Sequence, residues 1–255
     1  MTWLCLLIGL GVLLIIYMWL VAKQNRILHL NVPIRDLPAA FRGYRLYFIS
    51  DIHRRNISSK MLEKLTTPDL IVIGGDLMEK GVPFFRVTRN LEKLRRLACP
   101  ILFVWGNHDL QVDPIKLRRV LREQGVIILT NAVYSVSKDQ EVVNFIGVHD
   151  ATNALDGLDI ALLKVKEGVR ILLSHNPIIT EKITPEVNIP LVLSGHTHGG
   201  QIRLFGWGIR EKGGVKSMDF GTLIISNGYG TTRYPLRLGA PPDTLLIQLS
   251  QAEDD

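Results

Sequence analysis

The sequence contains little cysteine. Its two cysteines, Cys5 and Cys99, lie far apart and form no CxxC pair, which argues against a disulfide framework and against a cysteine-based zinc site. No internal repeat or low-complexity segment is present, and with 47% hydrophobic and 21% charged residues the 255-residue chain can bury a sizeable core. The net charge of +6 fits anionic partners such as phosphate groups, nucleic acid or a lipid surface, without choosing among them.

Charge is also absent from the start of the chain. The run WLCLLIGLGVLLIIYMWLVA, from Trp3 to Ala22, holds 20 residues and no charged one, about the length that crosses roughly 30 Å of hydrocarbon as a helix. A cleaved signal peptide would carry positive charge before the run and a small-residue cleavage site after it, and both are missing. A buried soluble helix would not be apolar on every side. The sequence therefore predicts an uncleaved transmembrane anchor over residues 1–22.

Positive charge follows the predicted anchor. Residues 1–22 contain no Lys or Arg, whereas residues 23–60 contain eight. Because Lys and Arg beside a span are held on the cytoplasmic side, we expect a single-pass cell-membrane protein whose domain faces the cytoplasm. A short N-terminus is easy to translocate, so the opposite orientation stays open. Residues 23–43 are interpreted as a basic connector, and residues 44–255 as one domain.

From Tyr44 onward, short apolar runs alternate with helical patterns. The runs have strand length and are apolar on both faces, as in strands buried within α/β layers; they are RLYFIS, DLIVIGG, ILFVWGN, VNFIGV, ILLS and LVLSG. Among the helical patterns, DPIKLRRVLREQG has Asp113 as N-cap, Pro114 in the first turn and Gly125 past its end. Residues 133–148 predict a hairpin that turns near Lys138 to Gln140. The predicted fold class is α/β.

Five of the predicted strand ends carry residues that bind metals. They are SDIH (Ser50–His53), GGD (Gly74–Asp76), GNHD (Gly106–Asp109), SHNP (Ser174–Pro177) and SGHTH (Ser194–His198). Each motif is weak alone, but ligands of α/β sheets bind beyond the carboxyl ends of the strands, so the five can converge. Carboxylates, imidazoles and an amide suit Mn²⁺, Fe²⁺ or Zn²⁺. The pattern predicts two divalent cations about 3.5–4 Å apart with one bridging group.

The ordered set DxH…GD…GNHD…H…GHTH resembles the signature of calcineurin-like metallophosphoesterases, over about Leu46 to the C-terminus. The stretches GGQIRLFG and SNGYGTTRYPLRLGAPPD look like the bacterial, membrane-associated YkuE-like branch of that family. The resemblance implies an α/β/β/α sandwich, in which two mixed sheets pack face to face with helices outside. It would follow a single transmembrane helix.

The resemblance also implies a role for each motif residue. The first metal would be bound by Asp51, His53 and His198, and the second by Asn107, His175 and His196. Asp76 would bridge the two metals. His108 would protonate the leaving oxygen or stabilise the phosphoryl transition state, and Asp109 would orient it. The two cations are expected to be Mn, Fe or Zn, with Mn preferred for assays.

We therefore expect a membrane-anchored phosphoesterase with a dinuclear metal centre. Its substrate would contain a phosphodiester, phosphomonoester or pyrophosphate bond, in a lipid-linked or nucleotide molecule. The alternatives are a nuclease of the same superfamily and a non-catalytic binding module on the same fold. No DNA- or RNA-binding appendage is visible, so nucleic acid is not the expected partner, and nothing in the sequence indicates an oligomeric state.

Two features have more than one interpretation. Arg54 and Arg55, directly after the DxH pair, either bind a phosphate or form a solvated basic loop. Trp207, in FGWG, either lines a substrate groove, meets the bilayer surface, or is an ordinary exposed aromatic residue of a loop.

Overall fold

The computed structural model of the chain describes residues 2–252. It begins with helix α1 (Thr2–Ala22), which is long and apolar enough to cross a membrane. Most side chains of α1 are exposed, and only Met18, Val21 and Ala22 near its end are buried against the rest of the protein. The apolar surface of α1 is therefore left uncovered over most of its length.

The part of the chain that the structure describes continues with twelve strands, in two sheets of six. The first sheet has the order β1-β12-β2-β3-β4-β5 and consists of β1 (Ile27–Ile34), β2 (Arg45–Ile49), β3 (Leu70–Ile73), β4 (Ile101–Val104), β5 (Ile127–Leu129) and β12 (Thr244–Gln251). The second has the order β10-β11-β9-β8-β7-β6 and consists of β6 (Ala132–Lys138), β7 (Glu141–Gly147), β8 (Val169–Leu173), β9 (Leu191–Ser194), β10 (Gly214–Met218) and β11 (Gly221–Ile225). Each sheet combines parallel and antiparallel pairs, so both are mixed, as the family resemblance implies.

The two sheets pack face to face and helices cover their outer faces. Phe48 and Val72 of the first sheet share a buried cluster with Phe145 and Leu173 of the second. The outer face of the first sheet packs against α2 (Ser59–Leu62), α3 (Phe84–Arg95) and α4 (Pro114–Glu123), and that of the second against α5 (Leu158–Leu162). Because the central strands are buried on both faces, they are mostly apolar, and β3 and β4 consist of apolar residues alone. The expected α/β/β/α fold is confirmed.

Local signals are also in their predicted places. The Asp113 side chain accepts a hydrogen bond from the Lys116 backbone N–H at 3.0 Å and so caps α4. Gly125 follows the helix with a φ of +71°. The β6–β7 hairpin turns at Asp139 and Gln140, whose φ values of 50° and 68° match the left-handed turn that two-residue hairpins favour.

The predicted connector over residues 23–43 needs correction. It contains β1, which pairs in parallel with β12 from Ile27 to Ile34. Val32 and Ile34 of this strand are buried in the core between the sheets. The strand was not predicted because its apolar residues are interrupted by His29 and Asn31, which are exposed, and because basic residues flank it. Such a pattern is a weaker signal than an unbroken apolar run. The sheet therefore begins at Ile27, within the predicted connector. The first residue of the predicted anchor, residue 1, and the last three of the predicted domain, residues 253–255, lie outside the described part of the chain.

The end of α1 is bound directly to the domain. The Arg237 backbone N–H donates to the Met18 carbonyl at 3.0 Å, and the Arg55 guanidinium donates to the carbonyls of Lys23 and Gln24 at 2.7 Å each. Carbonyls at a helix C-terminus have no partner within the helix, so a guanidinium there satisfies them. Of the two interpretations of Arg55, neither applies: this residue joins the helix to the domain.

Candidate metal centre

The five motifs come together at one edge of the sandwich. Three of them follow β2, β3 and β4, which are neighbours in the first sheet, and two follow β8 and β9, which are neighbours in the second. Because the sheets face each other, the carboxyl ends of these parallel strands meet. The structure brings together the side chains of all seven predicted ligands: Asp51, His53, Asp76, Asn107, His175, His196 and His198.

One cluster of donor atoms is formed by Asp51, His53 and His198. The Nε2 atoms of the two histidines are 3.1 Å apart, and His198 Nε2 is 3.2 Å from Asp51 Oδ1. All three residues are buried, and Asp51 Oδ1 has no hydrogen-bond partner within residues 2–252. Buried polar atoms normally find partners, so an unpartnered carboxylate oxygen that faces two imidazole nitrogens fits a cation site.

A second cluster lies beside the first. His196 Nδ1 is 3.2 Å from His175 Nε2 and 3.0 Å from Asn107 Oδ1. Two imidazole nitrogens and an amide oxygen again converge on one point. This donor set also suits a divalent cation of the Mn, Fe or Zn class.

Asp76 lies between the two clusters. Its Oδ2 atom is 3.2 Å from His175 Nε2 and 3.7 Å from His53 Nε2, so one oxygen faces a histidine of each cluster. Its Oδ1 atom accepts the His108 backbone N–H at 2.8 Å. The carboxylate is thus fixed in a position from which it can bridge two cations.

Neighbouring groups orient the histidines. His175 Nδ1 is 2.9 Å from the Gly74 carbonyl, which only accepts, so Nδ1 carries a proton and Nε2 faces the cluster. His53 Nδ1 lies 3.1 Å from Glu79 Oε2, and Arg54 pairs with the other Glu79 oxygen. This contact answers the question about Arg54, which binds a carboxylate of the protein itself. Glu79 was not expected from the sequence, because no motif links it to the DxH pair.

The buried charges shift the pKa values of the centre. Burial opposes protonation of His175, yet the negative charge of Asp76 raises the pKa of His175 to about 10. Burial tends to raise the pKa of Asp76, but His175 holds it below the usual range. Burial and the nearby His175 lower the pKa of His196 to about 4. A cation that binds His175 would therefore displace a proton.

The backbone at the ligands is unusual. Five of the seven predicted ligands have a positive φ, between 50° and 68°: Asp51, His53, Asp76, His196 and His198. A non-glycine residue in this region costs of order 1–3 kcal/mol, and such residues concentrate at functional sites. Glycines let neighbouring backbone lie close to the ligand carboxylates. A Cβ atom on Gly106 would lie 2.2 Å from Asp76 Oδ1, and one on Gly195 would lie 2.4 Å from Asp51 Oδ2.

His108 and Asp109 differ from each other in position. His108 is half-buried, lines the cleft above the centre, and its ring centroid is 5.0 Å from that of His53. Asp109 is fully buried and accepts the backbone N–H groups of Met78 at 3.1 Å and Gly106 at 3.0 Å. Each carboxylate oxygen accepts one backbone N–H group, and no hydrogen bond to the His108 imidazole is found within residues 2–252, so the orienting role stays a prediction. These bonds join Asp109 to the loops that carry Asp76 and Asn107, and burial together with the charge of Asp76 raises its pKa to about 7.

A cleft of about 1130 Å³ opens above the two clusters. Its floor includes Asp76, Asn107 and His108, and Arg210 stands at its edge with Nη1 2.7 Å from His196 Nε2. The sequence motifs did not indicate Arg210, which lies on a loop beyond the GHTH motif. A guanidinium beside the two clusters is well placed to bind a phosphate group.

Comparisons with known proteins show the family to which the chain belongs. The model of the family "Calcineurin-like phosphoesterase" matches residues 44–200. The uncharacterized protein YpbG of Bacillus subtilis is 39% identical over 239 residues, covering 92% of each chain. The uncharacterized metallophosphoesterase YkuE of the same organism is 27% identical and covers 84% of this chain and 81% of its own. A "Transmembrane protein with metallophosphoesterase domain" of Danio rerio is 25% identical over 91% of this chain and 59% of its own length.

Among solved structures, the protein TT1561 of Thermus thermophilus has a similar fold. It superposes with a TM-score of 0.52 at 15% identity, over 73% of this chain and 90% of its own. At that identity the likeness concerns the fold alone.

Proposed function

Because the chain belongs to the calcineurin-like phosphoesterase family, we propose that it hydrolyses a phosphate ester at a centre of two divalent cations in the cleft, while α1 anchors it in a membrane. The chain is a metal-dependent phosphoesterase, as the family to which it belongs establishes. The ligand set, the anchor and the substrate are our proposals.

The observation that carries the proposed centre is the pair of donor clusters joined by Asp76. Asp51, His53 and His198 would hold one cation, and Asn107, His175 and His196 the other. Two bound cations lower the pKa of a water molecule and neutralise the oxygens of a phosphoryl group.

The residues above the clusters have complementary tasks. His108, half-buried in the wall of the cleft, would donate a proton to the leaving oxygen. Arg210, at the edge of the cleft, would bind a phosphate oxygen and orient the ester. Asp109 would keep both strand-end loops in register through its two backbone hydrogen bonds.

Two alternatives are less well supported. A non-catalytic module would be expected to lack one or more of the seven donors, and all seven are present and converge. A nuclease would need a basic groove for the phosphate backbone, whereas most of the residues that line the outer part of this cleft are apolar.

The proposed anchor rests on the uncovered apolar surface of α1 and on its first flanking charge. Lys23 directly follows the helix, and its Nζ atom is 3.3 Å from the centroid of the Trp19 ring, an arrangement that suits the membrane interface. A relative named as a transmembrane protein is consistent with this proposal. We further propose that the domain faces the cytoplasm, following the Lys and Arg residues after the span.

The test uses the full-length protein in nanodiscs with Mn²⁺. We expect release of nitrophenol from bis-nitrophenyl phosphate or nitrophenyl phosphate, and no digestion of plasmid DNA. Asp76→Asn should lower the rate about a thousandfold or more, because loss of the bridge removes several kcal/mol of transition-state stabilisation. It should also lower the metal content below two per chain.

The matched control is Asp139→Asn, in the exposed hairpin turn, which should behave as wild type. A variant Asp76→Asn that keeps two fully occupied metals and a normal rate would show the proposed centre to be wrong. Efficient cleavage of plasmid DNA with no cleavage of the small esters would favour the nuclease.

A further inference from the structure

An exposed apolar loop lies beside the cleft. In residues 202–209, IRLFGWGI, Phe205 and Ile209 are fully exposed, Trp207 is 85% exposed and Leu204 is more than half exposed. Tyr234, 71% exposed, stands next to this loop, since the Gln201 side chain donates to its carbonyl at 3.1 Å. We call residues 202–209 together with Tyr234 the apolar lip. Contiguous apolar patches on soluble surfaces are rare and mark contact sites.

The lip is held in its exposed conformation by hydrogen bonds. Leu204 and Trp207 exchange two backbone hydrogen bonds, of 2.9 and 2.8 Å, around a turn with Phe205 and Gly206 at its tip. The Arg203 guanidinium donates to the Gly206 carbonyl at 2.6 and 3.1 Å and to the Arg210 carbonyl at 2.8 Å. The turn therefore presents its apolar side chains outward in a fixed geometry.

The lip lies close to the end of α1. Its Arg203 backbone N–H donates to the Leu238 carbonyl at 2.7 Å, and the neighbouring Arg237 N–H donates to the Met18 carbonyl of the helix at 3.0 Å. Met18 is four residues before the helix ends at Ala22, or roughly 6 Å along the axis. If α1 ends at the membrane surface, the lip is at the depth where exposed Trp, Tyr and Phe side chains are most favourable.

The lip also forms one wall of the cleft. The same cleft is lined by Asp76, Asn107 and His108 at the bottom and by apolar side chains of the lip at the outside, namely Ile202, Leu204, Trp207, Ile209 and Tyr234. Two cationic residues, Arg210 and Arg233, also line the cleft. A molecule with a phosphate at one end and a hydrocarbon chain at the other would match both parts.

We propose that the apolar lip inserts into the interface of the leaflet from which α1 emerges, and that the substrate is a membrane-resident phosphate ester whose hydrocarbon chain follows the apolar wall. The docking surface is thus occupied by lipid. The substrate class rests on the proposed function of the metal centre, whereas insertion of the lip is independent of it.

Insertion is tested with full-length protein in nanodiscs of phosphatidylcholine and phosphatidylglycerol. Both native cysteines are replaced by serine, and a single cysteine at Phe205→Cys carries a fluorophore. Lipids with a nitroxide near the headgroup should quench it strongly. The control is Leu163→Cys, because Leu163 is 88% exposed. It lies on the loop between α5 and the start of β8, whereas the predicted ligand His175 follows the other end of that strand. Equal quenching by the nitroxide lipids at both positions would overturn the proposal. So would quenching that needs no nitroxide lipid and arises only when the fluorophores of two copies of the chain come together.

The substrate class is tested by inhibition of the hydrolysis of a soluble nitrophenyl ester in nanodiscs. Dodecyl phosphate and ethyl phosphate carry the same phosphate group and differ only in the chain. We expect dodecyl phosphate to inhibit at a concentration at least tenfold lower, and Ile209→Ser to reduce this difference. Equal inhibition by both would overturn the substrate class.

The two failures are distinguishable. Absence of any hydrolysis of the soluble ester by the wild type would contradict the proposed function, and quenching at Phe205→Cys would still report on the lip. Normal hydrolysis without quenching and without a chain-length effect would contradict this inference alone.

Discussion

At the scale of single residues, the contact between His53 and Glu79 allows a test of whether a neighbouring carboxylate positions a predicted metal ligand. Glu79 touches no substrate in our proposal, but its Oε2 atom lies 3.1 Å from His53 Nδ1, a distance at which the carboxylate can pair with the ring. Burial opposes ionisation of Glu79, yet its contact with His53 and Arg54 lowers its pKa to about 2, so it is ionised at neutral pH.

Glu79→Gln keeps the size of the side chain and removes its charge. Because outer partners of ligating histidines typically contribute 10–100-fold to metal affinity, we expect a loss of roughly that size. It is measured by competition with a chelator. The control Glu123→Gln removes only an exposed i,i+4 pair with Arg119 and should change nothing. Unchanged affinity in Glu79→Gln would mean that Glu79 does not position His53.

His108 supports a second prediction at this scale. If it donates a proton to the leaving oxygen, His108→Ala should lower the rate about 10²–10⁴-fold on esters with poor leaving groups. Nitrophenyl esters need less help, so their loss should be smaller, and metal content should stay at the wild-type level. His29→Ala, on the exposed face of β1, is the control. Equal losses on both kinds of ester would rule out the proton-donor role.

Asp109 illustrates a limit of prediction from motifs. Its position one residue after His108 suggests that the carboxylate orients the imidazole. The backbone turns at this point into a short 3₁₀ segment, Asp109–Gln111, and the carboxylate is directed to the Met78 and Gly106 N–H groups. Sequence spacing identifies which residues reach a site, but the direction of a side chain depends on backbone geometry that spacing does not encode.

At the scale of secondary structure, the predictable elements are those with a strong local signal. Strands such as β3 and β4 are buried on both faces and therefore consist of unbroken apolar runs. Helix α4 carries its own start and stop residues, Asp113, Pro114 and Gly125. The seven predicted ligands follow the ends of such apolar strands, so the strand signals and the family resemblance together were enough to predict the candidate site.

The elements that were not predicted have weaker or non-local signals. Strand β1 is half-exposed, and its partner β12 lies more than 200 residues away, so its pairing depends on tertiary contacts. Arg237, which is buried and binds the end of α1, comes from a loop with no regular pattern. Such contacts arise only once distant segments have folded together.

Strand β1 gives a prediction about where the domain begins. A chain that starts at Gln24 retains β1, whereas one that starts at Arg35 loses it and exposes the edge of β12. Loss of Val32 and Ile34 from the core should cost about 3–6 kcal/mol, or roughly 10 °C or more in Tm for a domain of this size. Thermal unfolding of the two shortened chains measures the difference, and both lack α1, so each controls for the other. Equal Tm values would show that β1 does not belong to the folded domain.

At the scale of the whole molecule, orientation in the membrane is open to direct measurement. Lys23 and Arg26 follow α1 closely. Because positive charge beside a span is retained in the cytoplasm, a C-terminal alkaline phosphatase fusion should be inactive in intact cells. A green fluorescent protein fusion at the same position should fluoresce. Strong alkaline phosphatase activity with a dark fluorescent fusion would place the domain outside.

The junction between α1 and the domain has a kinetic consequence. The contacts of Arg55 and Arg237 with the end of the helix leave no long tether, so an anchored domain would stay beside one leaflet. Encounter with a bilayer-borne ester would then be a search in two dimensions. Its rate would follow the mole fraction of the ester in the surface, and adding inert lipid would slow the reaction by surface dilution even when the bulk concentration is held constant.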